Sequence, residues 1–245
     1  MRLTVIGGSG GIPGRGIPCS GYLVEFDGYS MLIDPGYGVA TALSGNDFSA
    51  FDAVLVSHAH PDHCADLNPI LRTRAWAEDP VAPLAVYALP GALDAVLALD
   101  RAEVVAGAFS LSPLESGAEV TIGPFRLQTS LLPHPRPNLG FRIDDGRRTL
   151  VYTGDCGPSD DVIRLARGAD VLLAEASFAT DVPSELHGSL SSAADVGREA
   201  TLADVRRLVL THLMPTTSST DAIAGAAAFY SRAVSVARPG LVLDV

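Results

Sequence analysis

Three imidazoles and a carboxylate fall within six residues in the stretch Ser57-His58-Ala59-His60-Pro61-Asp62-His63, directly after the apolar run Ala53-Val54-Leu55-Val56. Nitrogen and oxygen donors at this density suit a divalent metal, Zn²⁺ first, with Mn²⁺ or Fe²⁺ as alternatives. His58 and His60 stand two apart, so on an extended or tightly turning backbone they leave in roughly the same direction. Asp62 and His63 follow where the chain turns into a helix, so one loop offers two neighbouring ligand sets to two adjacent ions. The competing reading is a solvated His-rich turn, and three later segments weigh against it. His134 follows a strand and stands between Pro133 and Pro135, which stiffen it. Asp155 ends Val151-Tyr152-Thr153-Gly154-Asp155, where Gly154 permits close backbone approach. His212 follows Leu208-Val209-Leu210-Thr211. Each alone is more often an ordinary loop residue. Together they share one position, the end of an apolar strand, where open mixed sheets build their sites.

The elements that must position these donors read as follows. Strands are expected at Leu3–Gly7, Tyr22–Phe26 and Ser30–Asp34, with Asp27-Gly28 as a hairpin turn. The run Gly7-Gly8-Ser9-Gly10-Gly11-Ile12-Pro13-Gly14-Arg15-Gly16 lacks the Lys-Ser/Thr ending of a phosphate-binding loop and leads into a strand, so it reads as a loop bordering a site. Asp34 is either a carboxylate that steers a ligand histidine or a turn cap. A helix is expected from Asp62 to about Glu78, stopped by Asp79-Pro80, and another from Pro90 to Leu99. Glu103–Phe109 reads as extended. Hairpins follow at Ala118–Leu132 and Leu139–Thr153, the second joined by Asp145-Gly146. Strands at Asp170–Glu175, Val205–Thr211 and Leu241–Val245 alternate with helices at Asp160–Arg167, Ser191–Leu202 and Thr220–Arg232. One domain over residues 1–245 is the simplest account: an α/β (α+β) fold of two mixed sheets packed face to face with helices outside, a four-layer αββα sandwich.

A chain of 245 residues with 47% apolar side chains can bury one large core. The formal net charge of -11 argues against a broad basic surface for nucleic acid, while bound cations could still draw a small anion. Three cysteines, Cys19, Cys64 and Cys156, fit a reduced cytoplasmic protein better than a disulfide scaffold. The start of the chain reads as a strand and not a signal peptide, and no run of 18 apolar residues would span a membrane.

The loop His58-Ala59-His60-Pro61-Asp62-His63, followed in order by His134, Asp155 and His212, resembles the metallo-β-lactamase-fold hydrolase superfamily over nearly the whole chain. Thr153-Gly154-Asp155, Ala174-Glu175-Ala176-Ser177-Phe178, His187-Gly188-Ser189 and Leu210-Thr211-His212 are similar to tRNA 3′-processing endonucleases, and more so to compact relatives described as atypical cyclic-nucleotide phosphodiesterases. The resemblance implies His58, His60 and His134 on one metal, Asp62, His63 and His212 on the other, and Asp155 bridging. The common β-lactamases put cysteine where Asp155 stands, which disfavours lactam hydrolysis. Glyoxalase-type thioester hydrolases share the ligands but would not explain Glu175 and His187.

The chemistry so implied is attack on a phosphodiester by a hydroxide readied between two metals about 3.5–4 Å apart. Asp62 would ligate and orient the nucleophile, and His187, oriented by Glu175, would protonate the leaving alkoxide. The tRNA-processing relatives insert a long arm between the motifs of His134 and Asp155, where this chain has only a plain hairpin. The expected substrate is therefore a small phosphodiester such as a 3′,5′-cyclic nucleotide. A ribonuclease acting on tRNA 3′ ends and a non-catalytic anion sensor are the alternatives. Arg72 and Arg74 read as a solvated helix face, Cys64 and Cys156 as packed thiols, and the alanine-rich helices would accommodate a homodimer.

Overall fold

Short β-branched runs separated by glycine, proline and aspartate turns become strands, and the computed structural model describes residues 1–14, 16–43, 48, 51–79 and 81–245. Arg15 of the glycine-rich loop and Pro80 of the Asp79-Pro80 stop lie outside the described residues. The first half holds β1 (Arg2–Gly7), β2 (Gly21–Phe26), β3 (Tyr29–Ile33), β4 (Ala53–Leu55), β5 (Leu84–Ala88) and β6 (Phe109–Pro113). Then come β7 (Glu119–Ile122), β8 (Phe125–Leu132), β9 (Asn138–Asp144), β10 (Thr149–Tyr152), β11 (Val171–Glu175), β12 (Arg207–Thr211), β13 (Ala233–Val236) and β14 (Val242–Asp244).

The described residues form two seven-stranded sheets, ordered β14-β1-β2-β3-β4-β5-β6 and β13-β12-β11-β10-β9-β8-β7. In the first, β14, β1, β2 and β3 pair antiparallel, and β3 to β6 pair parallel. The second repeats the plan, antiparallel from β7 to β10 and parallel from β10 to β13. Both sheets are therefore mixed. The antiparallel half is closed by tight turns such as Asp27-Gly28, where φ is +51° and +76°, the doubly left-handed geometry that matches strand twist.

Leu3, Val5, Tyr22, Met31 and Leu55 of one sheet face Phe125, Phe141, Tyr152, Leu173 and Val209 of the other in a single buried cluster. Helices Ala193–Leu202 and Ser219–Ala227 cover the second sheet through Val196, Ala200, Ala222 and Ala226. Helix Leu67–Ala75 covers the first through Leu67, Ile70 and Leu71. The layers run helix, sheet, sheet, helix, as expected from the sequence.

Local differences have local causes. The helix expected over 62–78 is broken into Pro61–Cys64 and Leu67–Ala75. At the break Asp66 turns to the segment after β3, accepting the Ala40 N–H at 2.9 Å and donating its own N–H to Pro35 O. Arg74 is not solvated: it is buried, and its guanidinium donates to the carbonyls of Phe48 and Ala82 at 2.6 Å each. Arg72 pairs with Asp100 and stacks over Trp76 at 4.3 Å. Residues 102–105 are a helical turn ahead of β6 where an extended piece was expected, and the helix expected over 90–99 shrinks to Asp94–Leu97. The last long helix stops at Ala227, and Ala233–Val236 adds a parallel edge strand. No helix among the described residues is long and apolar enough to cross a membrane.

Candidate dinuclear metal centre

The seven donors reach one place because each follows a strand that ends at the same rim of the sandwich. The loop after β4 delivers His58 and His60, and Pro61 opens the turn that carries Asp62 and His63. From the second sheet come His134 after β8, Asp155 after β10 and His212 after β12. His58, His60, His134 and Asp155 offer donor atoms that all lie within 4.8 Å of one another, and so do Asp62, His63, Asp155 and His212. Asp155 belongs to both groups. Five of the six histidines of the chain are gathered here.

Their outer nitrogens are held, and the holders determine which nitrogen keeps a lone pair. His134 Nδ1–H donates to the Ser189 carbonyl at 2.9 Å, because a carbonyl can only accept. His63 Nδ1–H donates to Asp34 Oδ2 at 2.8 Å. The Ser57 hydroxyl spends its proton on Asp34 Oδ2 at 2.6 Å and so accepts from His58 Nδ1–H at 3.0 Å. The Ser177 hydroxyl, donating to His212 O at 3.3 Å, accepts from His212 Nδ1–H at 3.1 Å. Four Nε2 atoms are thereby turned inward. Asp34 is the hub of this arrangement: it also accepts the Ser57 N–H at 2.7 Å and the Tyr152 hydroxyl at 2.7 Å. Of the two readings its sequence allowed, it serves as the carboxylate that steers a histidine.

The donor set fits two divalent cations. His58 Nε2 and His134 Nε2 lie 3.0 Å and 3.1 Å from His60 Nδ1, a crowd of lone pairs that a cation would relieve. His63 Nε2 and Asp155 Oδ1 are sealed from solvent without a hydrogen bond, although only 3.1 Å separates them. Buried polar atoms ordinarily have partners, and a shared metal ion is the partner that suits both. His212 Nε2 lies 3.1 Å from Asp62 Oδ2 and 3.2 Å from Asp155 Oδ1.

The electrostatics agree. Burial together with His63 and the neighbouring imidazoles holds His58 well below its ordinary pKa, and burial and His134 lower His60, so both are neutral donors. Burial opposes charge on His63, yet Asp155, Asp34 and Asp62 outweigh it and raise that group well above its ordinary value. Asp62 and Asp155 are held far below the usual carboxylate range: burial works against them, but His212 and His63 prevail. This pocket is built for positive charge. Cys64 takes no part, since burial pushes its thiol up to about 12. Burial likewise raises Cys156 well above its ordinary value, and both are free and buried.

Two glycines earn their place by contact. A Cβ at Gly10 would lie 2.4 Å from His212 O, and one at Gly154 would lie 2.2 Å from Asn138 Oδ1. The glycine-rich loop does border the site: Gly11 N–H donates to Asp62 Oδ2 at 3.0 Å. His212 itself has φ +56°, a left-handed conformation that is uncommon for a residue with a Cβ.

One expected pairing is not formed. Glu175 accepts the N–H groups of Ser177 and Ser191 at 2.7 and 2.8 Å. His187 is exposed, and its Nε2–H donates to the Val182 carbonyl at 2.7 Å. Backbone amides have taken both carboxylate oxygens, so Glu175 does not orient His187. Ser57, Tyr152 and Ser177 act as holders without any sequence signal for that role, although Ser177 stands two residues after Glu175.

Fold and donor set together define a metallo-hydrolase of the metallo-β-lactamase fold. The chain belongs to the β-lactamase superfamily, whose domain model (Beta-lactamase superfamily domain) matches residues 29–213. It is 36% identical over 257 residues to the Mycobacterium leprae protein ML1173, covering 100% of this chain and 89% of that one. The crystal structure of the metallo-β-lactamase fold protein YhfI from Bacillus subtilis superposes with a TM-score of 0.90 at 30% identity, covering 99% of each chain. A Mycobacterium bovis ribonuclease Z is 30% identical over 245 residues, covering 88% of this chain and 86% of that one.

Proposed function

We propose that this metallo-hydrolase is a dinuclear phosphodiesterase for small phosphodiesters, with 3′,5′-cyclic nucleotides as the first candidates. The observation that carries the substrate size is the connection between His134 and Asp155. It is the bare hairpin β9–β10, closed by residues 145–148, with Asp145 Oδ1 accepting the N–H groups of Arg147 and Arg148 at 2.8 Å. No arm stands there to clasp a large nucleic acid, and the net charge of -11 offers little to one.

His58, His60 and His134 would hold one cation and Asp62, His63 and His212 the other, with Asp155 between them. Two such cations, zinc first with manganese or iron as alternatives, would neutralise the non-bridging phosphate oxygens and lower the pKa of water to ~7. The chain's own part is preorganisation. Asp34, Ser57, Ser177 and the Ser189 carbonyl fix the rings, and Gly11 N–H fixes the Asp62 carboxylate. His187 remains the proposed donor to the leaving alkoxide. It would act from the surface loop as an imidazolium, giving its Nδ1 proton to the alkoxide while Nε2–H stays on the Val182 carbonyl, and Glu175 is withdrawn from that step.

Similarity to ribonuclease Z supports a second reading, cleavage of tRNA precursors at the 3′ end with grip supplied by a second subunit. Purified protein with Zn²⁺ or Mn²⁺ should hydrolyse bis(p-nitrophenyl) phosphate and 3′,5′-cyclic AMP and leave a precursor tRNA intact. Cleavage of the tRNA at its 3′ end replaces the first reading by the second. Inactivity on all three favours a non-catalytic anion sensor.

A further inference from the structure

We propose that Glu175 is a positioning residue that sets His134 and His212, one histidine of each metal subsite, by clamping the two ends of the segment 177–191. The proposal rests on reading the site as a dinuclear metal centre.

Glu175 ends β11 and is 1% exposed. Its Oε1 accepts the Ser177 N–H at 2.7 Å and its Oε2 the Ser191 N–H at 2.8 Å. Each amide lies next to a histidine holder. The Ser177 hydroxyl is 3.1 Å from His212 Nδ1 and donates to the His212 carbonyl at 3.3 Å. Two residues before Ser191, the Ser189 carbonyl accepts His134 Nδ1–H at 2.9 Å. Ser191 also donates through its hydroxyl to the Cys156 carbonyl at 2.8 Å, beside Asp155. One side chain therefore controls where the holders of both rings stand.

Burying a carboxylate is unfavourable, and burial pushes the Glu175 carboxyl up to about 8 although the His212 imidazole opposes it; an apolar residue would fill the end of this strand at less cost. What the carboxylate adds is two acceptors at a fixed separation, which join the start and finish of a long surface segment. On the opposite side of the centre Asp34 does the equivalent work, holding His63 directly and His58 through Ser57. The two carboxylates divide four of the five ligand histidines between them, and each reaches into both subsites. Losing Glu175 should therefore loosen His134 and His212 together and leave His58 and His63 as they were.

The test uses wild type, Glu175→Ala, Glu175→Gln and Ser177→Ala, with folding checked by circular dichroism. Glutamine keeps the size but presents an NH₂ to one of the two amides. In zinc-loaded protein, ¹⁵N spectra of the imidazoles should show single Nδ1–H tautomers for His134 and His212 in wild type and mixed states in Glu175→Gln. His58 and His63 should be unchanged. Competition with a chelator for zinc should show both equivalents weakened, by about 10–100-fold as for other residues that orient metal ligands. Ser177→Ala should weaken only one equivalent. Unchanged tautomers, or weakening of a single equivalent in the Glu175 variants, overturns the clamp while the metal centre stands. Failure of both Glu175 variants to fold assigns the residue to the fold and also overturns it. A wild type that takes up no zinc removes the metal centre and the clamp with it.

Discussion

A buried imidazole is useful as a ligand only when its proton is kept on the far nitrogen, and the chain achieves this with neighbours that can do nothing else. A carboxylate and a backbone carbonyl only accept, and a hydroxyl that has already spent its proton must accept too. Asp34 is the densest case: its two oxygens take Ser57 N–H, Ser57 Oγ–H, His63 Nδ1–H and Tyr152 O–H. It does so from a left-handed backbone conformation, φ +50°, which is tolerated by aspartate and held by the surrounding bonds. Asp34→Asn would turn one oxygen into a donor facing donors. Zinc affinity should fall about 10–100-fold in a protein that still folds, measured by competition with a chromogenic chelator. Equal affinity in the variant would mean that the ring of His63 is fixed by packing alone.

Elements, rather than single residues, decide how the rim is held against the helices behind it. Helix Asp160–Ala166 is joined to helix Ala193–Leu202 by Glu199, whose Oε1 accepts the Ser159 N–H at 2.7 Å. Burial pushes the Glu199 carboxyl up to about 7, above the 4.5 of the free group. Between those two values the folded chain binds a proton that the unfolded chain has lost, so this contribution to stability is present below pH 4.5 and lost as the pH rises through 7. Glu199→Gln should remove that slope and raise stability at pH 8 by about 1–3 kcal/mol. Urea unfolding of both proteins at pH 5 and pH 8 measures it, and parallel curves would sink the argument.

The alternation of hairpins then strand–helix pairs was legible in glycine, proline and aspartate punctuation, and each donor announced itself by ending an apolar run. The edge strand β13 was hidden because Ala233-Val234-Ser235-Val236 continues an alanine-rich helical pattern, and only pairing with β12 distinguishes it. Arg74 looked solvated because its carbonyl partners, Phe48 and Ala82, are backbone groups on either side of the helix that no side-chain pattern marks. The holders of the histidines were equally hidden: Tyr152 and Asp34 are 118 residues apart, and no periodicity connects them. Glu175 was legible as a residue of interest and not as to its partners, since local backbone amides outcompeted the expected imidazole.

Taken whole, the molecule is two sheets whose facing sides share one apolar cluster and whose strand ends share one polar centre. His58, His60, Asp62 and His63 hang from the first sheet; His134, Asp155 and His212 hang from the second. Cations bound between them would join the sheets at the rim, where the apolar cluster cannot reach. The folded chain alone assembles these donors, so metal binding adds to stability by mass action. At a free zinc concentration 100 times the dissociation constant the gain is about 2.7 kcal/mol. For a chain of this size each kcal/mol moves the unfolding midpoint by about 2–4 °C, giving a rise of about 5–11 °C over chelator-treated protein. His134→Ala, which takes one donor from the second sheet, should lose much of that rise and change the metal-free midpoint little, because His134 is only part-buried. Differential scanning calorimetry with EDTA and with zinc decides the matter. Identical midpoints in wild type under the two conditions would show that the sheets are joined by their apolar faces only, and that the centre does not hold zinc.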